Sequence, residues 1–198
     1  MMITKRGFGI TELLVVLALA GLGLAVVLPA AATMRAEGRC AAGARHMVGT
    51  FRKLRSQSVA LRRYRGLYFH KESERWMFST VEDGNGNGLR TAEVRDGTDP
   101  VLEGPFRLED MIGSVRPGFP FDAVRELPPG SGWLGNLQDP VKFGRSNIVS
   151  FSPLGRSSSG TLYLTDGVDR LYAVVLYGPS TRIRVWRYRR ADQRWVMR

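Results

Sequence analysis

The N-terminal apolar run constrains the fold more than any other part of the chain. Leu13–Ala32 contains 20 residues and no charged or strongly polar side chain. As an α-helix this run would be about 30 Å long, which matches the hydrocarbon core of a bilayer. Lys5 and Arg6 precede the run, and positive charge on the short flank predicts a cytoplasmic N-terminus and export of the remainder.

Two ordinary explanations of this run are a single-pass anchor and a secretory signal. The segment Ala30–Ala32 resembles a signal-peptidase site, so the second explanation predicts cleavage after Ala32. Glu12 argues against both, because a carboxylate at the centre of a bilayer costs roughly 2.5–3.5 kcal/mol, although less near its edge. Such a carboxylate predicts a functional role and a positively charged partner, for which a nearby free α-amine would serve.

The residues around Glu12 resemble the signature of type IV prepilins, reading Gly7-Phe8-Gly9-Ile10-Thr11-Glu12-Leu13. The resemblance implies that a prepilin peptidase cuts between Gly7 and Phe8 on the cytoplasmic side and methylates the new amine of Phe8. Glu12 is then the fifth residue of the mature chain and neutralises the Phe8 amine of a neighbouring subunit. Pro29 matches the helix-kinking proline that many pilins carry. Gly9 departs from the usual serine or threonine.

The helical pattern continues beyond the apolar run. An apolar stripe recurs at three- and four-residue spacing, at Cys40, Ala44, Met47, Phe51, Leu54, Ser58 and Leu61. We therefore expect one helix from about Phe8 to about Arg63. Together with the resemblance to type IV prepilins, this pattern predicts four parts of the chain. They are a leader peptide (residues 1–7), a transmembrane helix (8–32), an amphipathic helix (33–65) and an exported β-rich domain (66–198).

After Leu67 the pattern indicates strands separated by turn residues. The predicted strands are Leu67–His70, Trp76–Val81, Val101–Leu108, Val141–Phe143, Asn147–Phe151, Thr161–Thr165, Leu171–Tyr177, Thr181–Tyr188 and Trp195–Met197. A long helix packed on an antiparallel β-sheet is an α+β fold of pilin-like form. The segments Asn147–Gly155, Gly160–Leu164 and Arg182–Arg184 resemble the C-terminal half of GspH/FimT-type minor pseudopilins.

A short loop resembles half of a calcium site. Asp83, Asn85 and Asn87 alternate with glycines, as oxygen ligands do in the first part of an EF-hand loop. The twelfth position is Val94 rather than glutamate, and Glu93 stands one residue early. Asp83, Asn85, Asn87 and Glu93 are therefore candidate Ca²⁺ ligands, and a simple turn favoured by Asn-Gly pairs is the alternative.

The C-terminal strand is the second candidate site. Seven arginines and one acid lie in Arg182–Arg198, and the net charge of the whole chain is +11. Strand alternation places Arg182, Arg184, Trp186, Tyr188 and Arg190 on one face, predicted to point outward. Arginines with aromatic side chains can bind single-stranded nucleic acid. The alternatives are an edge protected by charge and a docking surface for other pseudopilins.

No set of catalytic residues is recognisable. The chain lacks a Gly-x-Ser-x-Gly nucleophile elbow and a Gly-x-x-x-x-Gly-Lys phosphate loop, and its single cysteine excludes an internal disulfide. We therefore expect a protein that is not an enzyme. The resemblance implies a minor pseudopilin of a type II secretion pseudopilus or a type IV pilus, held in the bacterial inner membrane with a periplasmic domain.

The same resemblance implies a set of partners. These are other pilin or pseudopilin subunits, the prepilin peptidase, the inner-membrane assembly platform and membrane lipid. The alternative is a FimT-like minor pilin that binds DNA during uptake through the basic strand.

Overall fold

The computed structural model of this chain describes residues 9–198, except for the side chains of residues 24–33. The chain divides into two units, Met1–Glu37 and Gly38–Arg198. A helix, α1, runs over Ile10–Leu61. Among the residues with described structure, no helix combines the length and the apolar character needed to cross a membrane.

Ten strands and two short helices follow α1. The strands are β1 (Arg65–Glu72), β2 (Arg75–Glu82), β3 (Val101–Phe106), β4 (Arg116–Pro117), β5 (Val141–Lys142), β6 (Ile148–Phe151), β7 (Gly160–Thr165), β8 (Leu171–Tyr177), β9 (Arg182–Arg189) and β10 (Arg194–Met197). The short helices are α2 (Thr91–Asp96) and α3 (Leu108–Ile112). The predicted strands all recur with ends shifted by at most two residues, whereas α2, α3 and β4 were not predicted.

The strands form two antiparallel sheets. The first sheet has the order β3-β2-β1-β6, and the second has the order β10-β9-β8-β7-β4 with β5 also paired to β7. The turn between β1 and β2 contains Ser73 and Glu74, both with positive φ, which suits the right-handed twist of a two-residue hairpin. The mixed α+β class with antiparallel sheets was correctly predicted from the sequence.

The main core lies between the second half of α1 and one face of each sheet. Residues of the predicted stripe on α1 are almost completely buried there, at Cys40, Ala44, Met47, Phe51, Leu54 and Ser58. Phe51 contacts Phe143 edge-on and Phe151 at a tilt, with centroids 6.2 and 6.1 Å apart. Leu61, at the end of the predicted stripe, is instead 52% exposed because α1 ends there.

A second core covers the opposite face of the second sheet. Its buried members are Val124, Tyr163, Leu171, Ala173, Tyr188 and Trp195. Segment 119–137, which has almost no regular secondary structure, lies over this face and contributes Phe119, Phe121, Leu127, Leu134 and Leu137. The second sheet therefore carries apolar residues on both faces.

Candidate functional site

The N-terminal candidates are only partly within the described residues. Gly7 and Phe8, the predicted cleavage and methylation positions, lie outside them. Glu12 lies in the first turn of α1, and its Oε2 accepts a hydrogen bond of 3.2 Å from the backbone N–H of Gly9. This contact satisfies one of the free amides at the start of the helix. Pro29 lies within α1, but its side chain is outside the described residues.

The side chains that follow Glu12 are apolar and exposed. The exposed fraction of each large apolar side chain between Leu13 and Leu22 is more than half. A patch of this kind normally marks a surface that contacts a partner or lipid. This part of α1 therefore offers an apolar surface on every side.

Cross-strand register establishes the faces of β9. Val185 lies opposite Val174, and both belong to the main core, whereas Trp186 lies opposite Ala173 in the second core. Tyr188 lies opposite Trp195. Because directly opposed residues share a face, Arg182, Arg184, Trp186 and Tyr188 lie together on the face of the second core, as alternation predicted.

The predicted outward orientation of this face is wrong for Tyr188. Its side chain is 5% exposed and packs against Phe121 and Trp195, with ring centroids 5.9 and 5.1 Å away. Trp186 is half-buried and packs against the same core. The physical reason is the cover formed by segment 119–137, since its apolar residues exclude water from the sheet. Stacking of a base on Tyr188 would require this cover to move.

The arginines of the same strand differ in accessibility. Arg182 and Arg190 are exposed, and Arg184 is half-buried. The Arg184 guanidinium lies 5.5 Å from the Tyr177 ring centroid, and that of Arg190 lies 5.0 Å from the Phe121 ring centroid. Cation–π contacts of this kind hold the two arginines against the protein. The accessible feature is therefore positive charge rather than an aromatic platform.

The predicted calcium loop is organised by buried aspartates. Asp83 is 3% exposed, and its carboxylate accepts hydrogen bonds from the backbone N–H groups of Asn85, Gly86 and Gly88, at 3.2, 2.7 and 2.8 Å. Glu93 accepts hydrogen bonds from the side-chain amides of Asn85 and Asn87, each at 3.0 Å. These four residues thus lie close together.

Asp99, which no sequence motif indicates, belongs to the same loop. Asp99 is fully buried, and its two carboxylate oxygens accept from the N–H groups of Gly84 and Arg90 at 3.1 and 3.0 Å. A Cβ atom at Gly84 would collide with the carbonyl oxygen of Thr98, so glycine is required there. Hydrogen bonding from Thr98, chiefly from its backbone N–H, lowers the pKa of Asp96. Calcium binding stays a prediction.

The described residues contain no cluster of three or more His, Cys, Asp or Glu side chains suited to hold a metal ion. Comparisons with family models, with curated proteins and with solved structures gave no match for this chain. The assignment of the candidate sites is therefore supported by the sequence and by the geometry of the described residues.

Proposed function

We propose that the chain is a minor pseudopilin, a structural and assembly subunit of a type II secretion pseudopilus or a type IV pilus. The observation that carries this proposal is one carboxylate, Glu12, placed five residues after Gly7 and directly before 20 apolar residues. In this account a prepilin peptidase cuts the Gly7–Phe8 bond, and Phe8 becomes the methylated N-terminus. The chain has no catalytic role.

The proposed fold is pilin-like, with a transmembrane half and an amphipathic half of α1. Two observations support it. The large apolar side chains from Leu13 to Leu22 are exposed, which suits burial in lipid before assembly and against sister helices after it. The second half of α1 instead buries one stripe, including Met47 and Phe51, against the two sheets. The domain would lie in the periplasm and the N-terminus in the cytoplasm.

The proposed role of Glu12 is electrostatic. A methylated α-amine on Phe8 of an incoming subunit carries a positive charge into an apolar layer of packed helices. Leaving such a charge without a partner in a low-dielectric region costs several kcal/mol. Glu12 of a neighbouring subunit would supply the counter-charge and so set the position of each subunit along the filament.

Replacement of Glu12 tests this role. Glu12→Ala should leave cleavage and membrane insertion intact but abolish co-purification with the other pilin or pseudopilin subunits of the same assembly. Thr11→Ala, the adjacent substitution, is the matched control and should co-purify normally. Co-purification of Glu12→Ala at the wild-type level would refute the role, and loss of cleavage in this variant would assign Glu12 to peptidase recognition.

DNA capture during uptake is the alternative function, and one observation favours it. Five arginines between Arg182 and Arg198 are exposed, at Arg182, Arg189, Arg190, Arg194 and Arg198. Among the described contacts of these arginines, Asp192 lies 2.9 Å from Arg189 and 3.4 Å from Arg194. Such a surface favours phosphates, with an affinity that falls steeply as salt rises.

If the chain binds DNA, removing phosphate contacts should make the DNA affinity less dependent on salt concentration. The double variant Arg182→Gln/Arg184→Gln should bind all DNA sequences more weakly and reduce the slope of log affinity against log salt. The double variant Arg52→Gln/Arg55→Gln, on the exposed side of α1, is the matched control. Equal DNA affinity of both variants and wild type would exclude the basic strand as a DNA site.

A further inference from the structure

One edge of β1 is left open by its neighbour. β1 pairs with β2 over its whole length, but its pairing with β6 extends only from Arg65 to Tyr68. The last contact on this side is the bond of 2.9 Å from the N–H of Phe69 to the carbonyl oxygen of Asn147. Asn147 has a φ of 52°, and this left-handed conformation directs the chain away from β1.

The open edge presents backbone groups to a cleft. Backbone groups alternate between the two sides of a strand, so the N–H and C=O of Lys71 point to the same side as those of Phe69. The stretch from Phe69 to Glu72 is about 13 Å long at 3.3 Å per residue. A cleft of about 680 Å³ lies along this stretch. The open edge therefore has room beside it for a short extended segment.

Both faces of the open edge line the cleft. On one face the ring of His70 stacks on that of Tyr68, with centroids 5.1 Å apart. On the other face the ammonium group of Lys71 lies 5.5 Å from the ring centroid of Trp76. An added strand points its successive side chains to alternate faces, so each of these surfaces would contact every second residue of the segment.

The walls of the cleft are positively charged. Arg95 of α2 and Arg145 are both exposed, and neither has a hydrogen-bond or ion-pair partner among the described residues. The lining of the cleft contains one carboxylate, Asp139, which accepts a hydrogen bond from the N–H of Val141 at 3.1 Å, against the three cations Lys71, Arg95 and Arg145. Lys71 contacts Glu74 at 3.5 Å, but both side chains are exposed and the pair is weak.

We propose that this β1-edge cleft binds an extended acidic segment of a partner protein, which adds as a strand beside Phe69–Glu72. Backbone hydrogen bonds would supply affinity, and acidic side chains near Arg95 and Arg145 would supply specificity. The edge of β3 is less suited to strand addition, because it carries Pro105 and its pairing with β2 is irregular. The proposal concerns the domain alone and does not depend on the proposed role in a filament.

Binding of a model peptide tests the charge requirement. The probe is a fluorescein-labelled octapeptide of alternating glutamate and threonine, with blocked ends, titrated with the full chain in detergent and followed by anisotropy. We expect saturable binding that weakens about tenfold or more in Arg95→Glu/Arg145→Glu. The control Arg52→Glu/Arg55→Glu changes the net charge equally and should retain wild-type affinity. Equal weakening in both variants, or equal binding of a lysine-for-glutamate peptide, would overturn the proposal.

Backbone methylation of the peptide tests strand addition separately. N-methyl groups on alternate residues remove the donors of one strand edge without changing charge, so one of the two alternating patterns should abolish binding. Full retention of binding by both methylated peptides would overturn strand addition. Displacement of the peptide by a single-stranded oligonucleotide, with the same loss of oligonucleotide binding in Arg95→Glu/Arg145→Glu, would identify a general polyanion site and would also overturn it.

Discussion

Tyr188 and Trp195 lie opposite each other in the β9–β10 pair, with ring centroids 5.1 Å apart and an interplanar angle of 61°. Both side chains are buried, and Nε1 of Trp195 donates a hydrogen bond of 2.7 Å to the carbonyl oxygen of Arg125. The pair therefore connects the C-terminal strands to segment 119–137. This relationship makes the aromatic residues of β9 and β10 part of a core rather than a platform for bases.

Removal of the Tyr188 ring should destabilise the domain. Tyr188→Ala leaves a cavity beside Trp195 and Phe121, and losses of about 3–5 kcal/mol in the free energy of unfolding are typical of such aromatic deletions. Arg182 lies on the same strand but is exposed, so Arg182→Gln should change the free energy of unfolding by less than about 0.5 kcal/mol. Urea unfolding of the two variants decides the point. Equal stability of Tyr188→Ala and Arg182→Gln would contradict the core assignment.

Local patterns in the sequence predicted the regular elements well. The stripe from Cys40 to Ser58 follows the helical period, and the shared faces of β9 follow the two-residue period of a strand, so the sequence reveals both directly. β7 and β8 are short apolar runs bounded by turn residues, because both of their faces are buried. The orientation of Tyr188 could not be predicted in the same way. The two-residue alternation of a strand shows which residues share a face. Which segment covers that face depends on contacts with residues that are far away in sequence.

Most of the structural features that the sequence did not predict involve the Gly-, Pro- and Asp-rich middle of the chain. Asp99 joins the loop of Asp83 from 16 positions away, by hydrogen bonds to backbone groups that carry no sequence signal. The β1-edge cleft likewise brings together Lys71, Arg95 and Arg145 from three separate segments. The left-handed conformation at Asn147 opens this cleft, and asparagine tolerates that conformation without requiring it.

The Asp83 carboxylate should stabilise the fold without any metal. Asp83→Ala leaves the N–H groups of Gly86 and Gly88 without their charged acceptor, which should lower the free energy of unfolding by roughly 1.5–3 kcal/mol. The loss should be the same in the presence of a calcium chelator. Asp96→Ala, at an exposed position of the same region, is the control and should cost less. A stability difference that appears only when calcium is added would instead support the calcium site.

Tyr163 should make the stability pH-dependent in the alkaline range. Burial, with a smaller contribution from the charge of Glu126, raises the pKa of Tyr163 to about 12. The ordinary pKa of tyrosine is about 10, so above about pH 10 the unfolded chain loses a proton that the folded chain retains. The stabilisation from this group is complete below about pH 10 and falls by about 1.4 kcal/mol per pH unit up to about pH 12.

Tyr163→Phe removes the titrating group and should remove this part of the pH dependence. Urea unfolding of wild type and Tyr163→Phe at about pH 9 and about pH 11 measures it, because all other groups titrate alike in the two proteins. The wild type should lose about 1 kcal/mol more than the variant between these pH values. An identical loss in both proteins would mean that Tyr163 titrates normally.

The N-terminus of the mature protein tests the central claim most directly. Mass spectrometry of the intact protein extracted from membranes, followed by sequencing of its N-terminal peptide, identifies both the cut and the modification. The pseudopilin account predicts a chain that begins at Phe8 with a methylated amine and retains Leu13–Ala32. Substitution of Gly7 by alanine should block this cut and leave the leader attached. A mature chain that begins at Thr33, after removal of the whole apolar run, would contradict the account.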